Sequence, residues 1–182
     1  MRTNRGLVGF IVLSTILGGT SLLLGQAAGE TERNRDVVRR YLELMNRGDW
    51  KQAAALFAPD VRHHLGNWQQ GEEGLVQGQD KLTDTHEDIF RTFPDWKMEI
   101  VDMVAEGESV VVRCKVSGTH KGVGAKRING GFLVGVQPTG KHFVVQHIHW
   151  YKLRDGIIID HFANRDDLGM TQQLGLLPLS NR

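Results

Sequence analysis

Two stretches late in the chain concentrate groups that can exchange protons. "KHFVVQHIHWYKL" (141–153) places His147 and His149 two positions apart. "GIIIDHFANRDDLG" (156–169) carries Asp160, His161, Asn164, Arg165, Asp166 and Asp167 within eight positions. Residues i and i+2 of a strand share a face at roughly 7 Å, so His147 and His149 address one space. His161 on the following strand can face the same space. Imidazole takes and returns a proton near neutral pH without a carboxylate beside it. The chemistry this points to is acid/base catalysis through imidazole groups. The same residues have two other uses: hydrogen-bonded core histidines, or imidazole ligands of a divalent metal together with His63 and His64. No carboxylate is clearly placed to complete a metal site, and the reading taken forward needs no metal and no cofactor.

Strand alternation sorts the second stretch. Ile157, Ile159, His161 and Ala163 point one way, and Asp160, Phe162 and Asn164 the other, unless a bulge re-aims them. Asp166 follows the strand and precedes "LGMTQQL" (168–174), which makes it a helix N-cap as well as a candidate substrate contact. Asp155 belongs to the Asp-Gly turn. His63, His64 and Trp68 fall in or beside a polar, Gly-rich segment, and Trp68 and Trp96 offer flat apolar surface for a pocket mouth.

The elements that must position these groups read as helices first and strands after. "TERNRDVVRRYLELMNRGDW" (31–50) spaces Val38, Tyr41, Leu42 and Met45 as one helical face, ending at Asn46-Arg47-Gly48. Asp49 caps a short helix through Phe57, stopped at Pro59. Then comes a loop, "HHLGNWQQGEEG" (63–74). A third helix starts near Gln79, with Leu82, His86, Ile89, Phe90 and Phe93 on one side, and Pro94 ends it. After Pro94 the period becomes two. Strands are predicted in "WKMEIVDMVAEG", "ESVVVRCKVSGTH", "GGFLVGVQPTG", "KHFVVQHIHWYKL" and "GIIIDHFAN", separated by glycine-containing turns. A tail helix folds back over them. This is an α+β domain: helices on one face of a curved antiparallel sheet, enclosing a pocket.

Composition narrows the function. With 182 residues, 40% apolar and 24% charged, the chain is one ordinary globular domain. A net charge of +1 gives no reason to expect nucleic acid as a partner. The single cysteine, Cys114, excludes an intramolecular disulfide and a cysteine-based zinc site. Arg2 and Arg5 ahead of apolar Leu7–Leu24, then small residues to Ala28, read as a secretory signal peptide over 1–28, with the domain over 31–182. Export to the periplasm or medium is the expectation, and an uncleaved anchor over 7–24 is the alternative. No P-loop, dinucleotide fingerprint or nucleophile elbow is present, which argues against nucleotide cofactors and serine hydrolysis.

Phe93-Pro94-Asp95, Gly118-Thr119-His120, Pro138-Thr139-Gly140, Asp155-Gly156 and Gln172-Gln173-Leu174-Gly175, in this order and spacing, resemble the SnoaL-like polyketide cyclases, also called ester cyclases. The resemblance runs from Arg35 to about Leu177. It implies the cone-shaped nuclear-transport-factor-2-like fold, about three helices on a curved sheet, often paired into homodimers. It implies a small organic substrate and ring closure by aldol condensation without a metal. The family's pocket histidine falls on His149 and a second polar position on His147, but its catalytic aspartate falls on Ala163; the resemblance thus implies His149 as the acid/base group, with His147 and His161 binding or polarising a carbonyl. "VGAKRINGG" (123–131) is longer than the family's connection. Two functions follow: cofactor-free cyclisation or isomerisation, or a non-catalytic exported protein carrying an apolar ligand. The histidines favour the first and Ala163 the second.

Overall fold

The computed structural model describes residues 9–64, 75–125 and 133–177, with side chains for 25–64, 77–125 and 133–177. Helix α1 (Gly9–Asn46) buries Val38, Tyr41, Leu42 and Met45, the face their spacing predicts. It ends where Gly48 turns to φ 72° and donates to the Met45 carbonyl. Asn46 then fastens the helix to the sheet: its Nδ2 donates to the Met98 carbonyl and its Oδ1 accepts from the Met98 N–H, both at 2.8 Å. The backbone of α1 continues through Ala27 and Ala28. Among the described residues no helix is long and apolar enough to cross a membrane, and the side chains of 7–24 lie outside them.

Asp49 caps α2 (Trp50–Ala54), accepting from the Gln52 N–H at 3.3 Å. The expected continuation to Pro59 does not form. Phe57–His64 is instead strand β1, with Phe57 and Val61 inward. Pro59 is tolerated because the pairing of β1 shifts register between Phe57 and Arg62, so no ladder bond is demanded of it. After the short strand β2 (Leu75–Gln77), helix α3 (Gln79–Thr92) buries Leu82, Thr85 and His86 and stops ahead of Pro94.

Strands β3 (Lys97–Glu106), β4 (Ser109–Thr119), β5 (His142–Arg154) and β6 (Ile157–Arg165) follow. Asp155 and Gly156, both at positive φ, make the two-residue turn that pairs Arg154 with Ile157. The third predicted strand, in "GGFLVGVQPTG", does not form over its described residues. From Leu133 to Gly140 the chain turns, with an isolated bridge from Val134 to Gly124. Gly135 and Gly140 at positive φ and Pro138 between them break any ladder.

The sheet order is β2-β1-β6-β5-β4-β3. It is mixed, not purely antiparallel, because β1 runs parallel to β6. On its inner face Val110, Val112, Cys114 and Val116 of β4 alternate inward beside Phe143, Val145, Tyr151 and Leu153 of β5, against α1 and α3. Helix α4 (Asp167–Gln173) follows β6, and its Gln173 amide pairs with the Val144 backbone, where β6 no longer reaches β5.

Candidate active site

A bulge decides which residues of β6 face inward. Lys152 opposes Asp160 and Leu153 opposes Ile158, which leaves Ile159 unmatched. Ile158 and His161 are therefore both buried, although three apart. Ile157 and Ile159 do not share the face of His161 as simple alternation predicts. Beyond the bulge the inner face continues through His161, Ala163 and Arg165, each opposite a residue of β5: Tyr151, His149 and His147.

Four histidines thus meet inside the cone. His63, His147, His149 and His161 are 4%, 2%, 7% and 2% exposed. His161 Nε2 lies 2.9 Å from His149 Nδ1, with rings 9° from coplanar and centroids 5.1 Å apart, the geometry of an in-plane N–H···N bond. His161 Nδ1 lies 2.7 Å from His63 Nδ1, with those two rings stacked at 4.2 Å between centroids and 29° between planes, so this contact is bent and not in-plane. Tyr151 stacks on His161 at 4.5 Å. His147 continues the row towards Trp96, with ring centroids 5.6 Å from His149 and 6.3 Å from Trp96. Above, His86 on α3 meets the Tyr41 hydroxyl at 3.1 Å.

Among the described residues, four nitrogens in this interior are buried without a hydrogen-bond partner: His149 Nε2, His147 Nε2, Trp96 Nε1 and His86 Nδ1. Each such group costs about 1–3 kcal/mol if left unsatisfied, so a cluster of them calls for a reason. Burial keeps the rings neutral. It lowers the pKa of His149 to about 3, with the Arg165 charge adding to the effect, and that of His86 to about 3. His147 falls to about 2, first through burial and then through His149 and Arg165. His63 and His161 are held well below the ordinary histidine value, again chiefly by burial. Neutral imidazoles and an indole N–H can donate to a carbonyl or a developing oxyanion without competing for its proton, and an imidazole lone pair can accept one.

The sequence-predicted residues divide accordingly. His147, His149, His161 and Trp96 come together, and both nitrogens of His161 lie within hydrogen-bond distance of other histidines. His63 is not in a loop; it sits on β1 inside the cluster. His64 points to the other side of the sheet, where its Nε2 meets Asp160 at 2.9 Å and its ring stacks on Phe162. Asp166 is exposed and caps α4, accepting from the Gly169 N–H at 2.7 Å. Ala163 sits directly opposite His149. Trp68 and most of the 123–131 insertion lie outside the described residues. Among the described residues no three histidine, cysteine or acidic side chains converge as metal ligands.

Two clefts of about 380 Å³ each, one between α1 and the Asp155-Gly156 turn and one beside α4, have no histidine in their lining. Tyr41, Tyr151 and His86 were not singled out by sequence as site residues. His86 on an otherwise apolar helix face was the available signal.

The sequence profile of the SnoaL-like polyketide cyclases matches residues 35–174, most of the domain just described. The chain belongs to that family. No curated protein matches it significantly. Among solved structures, this SnoaL-like protein is similar to IdmH from Streptomyces antibioticus, provisionally named a polyketide cyclase: 28% identity, TM-score 0.62, covering 78% of this chain and 98% of that one. It is also similar to AclR from Streptomyces galilaeus, provisionally named a hydroxylase, at 23% identity and TM-score 0.66, covering 84% and 87% of the two chains. A Kribbella flavida protein provisionally named a ketosteroid isomerase matches at 18% identity and TM-score 0.52, over 76% and 81%. The SnoaL-like chain has their nuclear-transport-factor-2-like α+β fold, and names this diverse on one fold mean that the site must carry any functional argument.

Proposed function

We propose that this protein is a cyclase- or isomerase-type enzyme that moves a proton on a small carbonyl compound, without a cofactor. The observation that carries this is the cluster of unpartnered nitrogens on His149, His147 and Trp96, beside an imidazole held in place by His161. His149 Nε2 takes the proton alpha to the carbonyl, and His147 Nε2 and Trp96 Nε1 donate to the oxygen on which negative charge develops. Trp96 Nε1 is donor-only, so the group placed there is an acceptor, which fits a carbonyl or enolate oxygen. Ala163 removes the acid that would otherwise share the task, and His149 carries it alone.

The test is turnover of a panel of β,γ-unsaturated ketones and of diketones poised for intramolecular aldol closure, by wild type and His149→Ala. Wild-type turnover lost in the variant supports the proposal, and equal rates overturn it. Ala163 favours one other reading, a protein that binds an apolar ligand without transforming it. That reading predicts ligand retained in native mass spectra and no turnover of any panel member. Export through residues 1–28, and pairing into a homodimer, remain part of the proposal, and the same spectra report both.

A further inference from the structure

The acid/base proposal leaves two buried imidazoles without a task. His161 uses Nε2 on His149 and Nδ1 on His63, so it offers no free nitrogen to a substrate. An apolar ring in its place would avoid burying polar atoms altogether.

What the arrangement supplies is coupling. A neutral imidazole has one N–H and one lone pair. In the middle of the file, His161 must donate through one nitrogen and accept through the other. Only two polarities of three neutral rings keep both bonds. In the first, His149 Nδ1–H donates to His161 Nε2, and His161 Nδ1–H donates to His63 Nδ1. His149 Nε2 is then a lone pair, and a base. In the second, both bonds reverse and His149 Nε2 carries the proton, as an acid. Among the described residues His149 Nε2 has no hydrogen-bond partner to choose between them.

We propose that His63, His161 and His149 act as one proton-carrying file, in which the protonation of His149 Nε2 is coupled through His161 to His63. The proposal rests on the reading of His149 as the acid/base group. Starting from the first polarity, the substrate C–H proton moves to His149 Nε2 while the bonding pair stays on the substrate as an enolate. His149 Nδ1 passes its proton to His161 Nε2, His161 Nδ1 passes its own to His63 Nδ1, and His63 Nε2 releases one to solvent water. All three rings end neutral, and His149 Nε2–H faces the enolate as a donor. The reverse sequence returns a proton to a different substrate atom.

This removes a difficulty that burial creates. A solitary buried imidazole has to become a cation to act as a base, and the depressed pKa of His149 makes it a weak one. The nearby positive charge of Arg165, paired with Asp167, disfavours that cation further. In the file no imidazolium is formed. His63 and His161 are positioning residues, since neither needs to touch the substrate.

The experiment is two-bond ¹⁵N–¹H correlation NMR of the full chain, ¹⁵N-labelled at histidine, at neutral pH and without ligand. Nitrogen shifts distinguish N–H from lone-pair nitrogens ring by ring. His63→Gln, which keeps a polar group at the end of the file, is compared with wild type and with His142→Asn, an exposed histidine outside it. The expected result is that His63→Gln moves the Nδ1 and Nε2 shifts of His149, two hydrogen bonds away, and that His142→Asn does not. Unchanged His149 shifts in a folded His63→Gln protein would overturn the proposal. If that variant does not fold, His63→Asn is read in the same way. The readout needs no substrate, so a coupled file in a protein that turns nothing over would count against the proposed function and not against the file.

Discussion

Acidification from about pH 7.5 to 5 is expected to cost this protein a large part of its stability, because it folds by burying neutral histidines. In the unfolded chain a histidine titrates near 6.5. His86 and His149 titrate near 3 in the folded protein, held there by burial. Between those values the unfolded state binds protons that the native state does not, so stability falls as pH falls through 6.5 and goes on falling towards 3. Each group costs about 1.4 kcal/mol per pH unit, or roughly 2 kcal/mol at pH 5. His86 and His149 together reach about 4 kcal/mol, and His63, His147 and His161 shift in the same direction. Against a typical total of about 5–15 kcal/mol, that brings the protein close to its unfolding midpoint. Urea unfolding followed by tryptophan fluorescence at a series of pH values measures it. Replacing His86 by leucine should flatten the dependence by about one proton. A free energy of unfolding that is constant between pH 7.5 and 5 would refute the reasoning, because the histidines would then have to be accessible or charged in the folded state.

Other outcomes follow from the same geometry. Because His149 is unprotonated at any pH above about 3, kcat/KM should show no acid limb near 6.5, and activity should fail only where the fold does; a limb near 6.5 in a stable protein would contradict the burial of His149. Asp166→Ala should cost about 1 kcal/mol of stability through loss of the α4 cap and leave turnover unchanged, as thermal melts and kinetics together would show. Gly122→Ala should lower the melting temperature sharply, because a Cβ there would lie 1.9 Å from the Arg91 carbonyl oxygen. Leu82→Ala, at a fully buried position of α3, should cost about 2–5 kcal/mol in urea titrations.

The parts of this fold that were legible in sequence are those set by local periodicity and turn chemistry. The face of α1, the caps at Asp49 and Asp166, and the Asp155-Gly156 hairpin all follow from neighbouring residues. Strand β1 was not legible, because Pro59 and an adjacent polar run mask it, and its partner β6 lies about a hundred residues away and runs parallel. The strand predicted over 130–140 does not form over its described residues, 133–140, for the opposite reason: alternating apolar residues there are overruled by glycines at positive φ. At the site, the HisXHis spacing predicts that His147 and His149 share a face, and both are buried on it. The bulge at Ile159 changed which isoleucine shares the face of His161, and a bulge leaves no mark in hydrophobic alternation. His63 and His64 looked equivalent as a pair, yet adjacent strand residues face opposite ways, so one joined the cluster and the other met Asp160.

The most direct test of the central claim is α-proton exchange in D₂O, followed by ¹H NMR on simple β-keto esters and β,γ-unsaturated ketones. It detects proton abstraction whether or not a product forms. The account predicts that wild-type protein accelerates exchange, that His149→Ala abolishes the acceleration, and that added metal ions or chelator leave it unchanged. Exchange equally fast with His149→Ala, or no acceleration of a ketone shown by native mass spectrometry to bind, would contradict it.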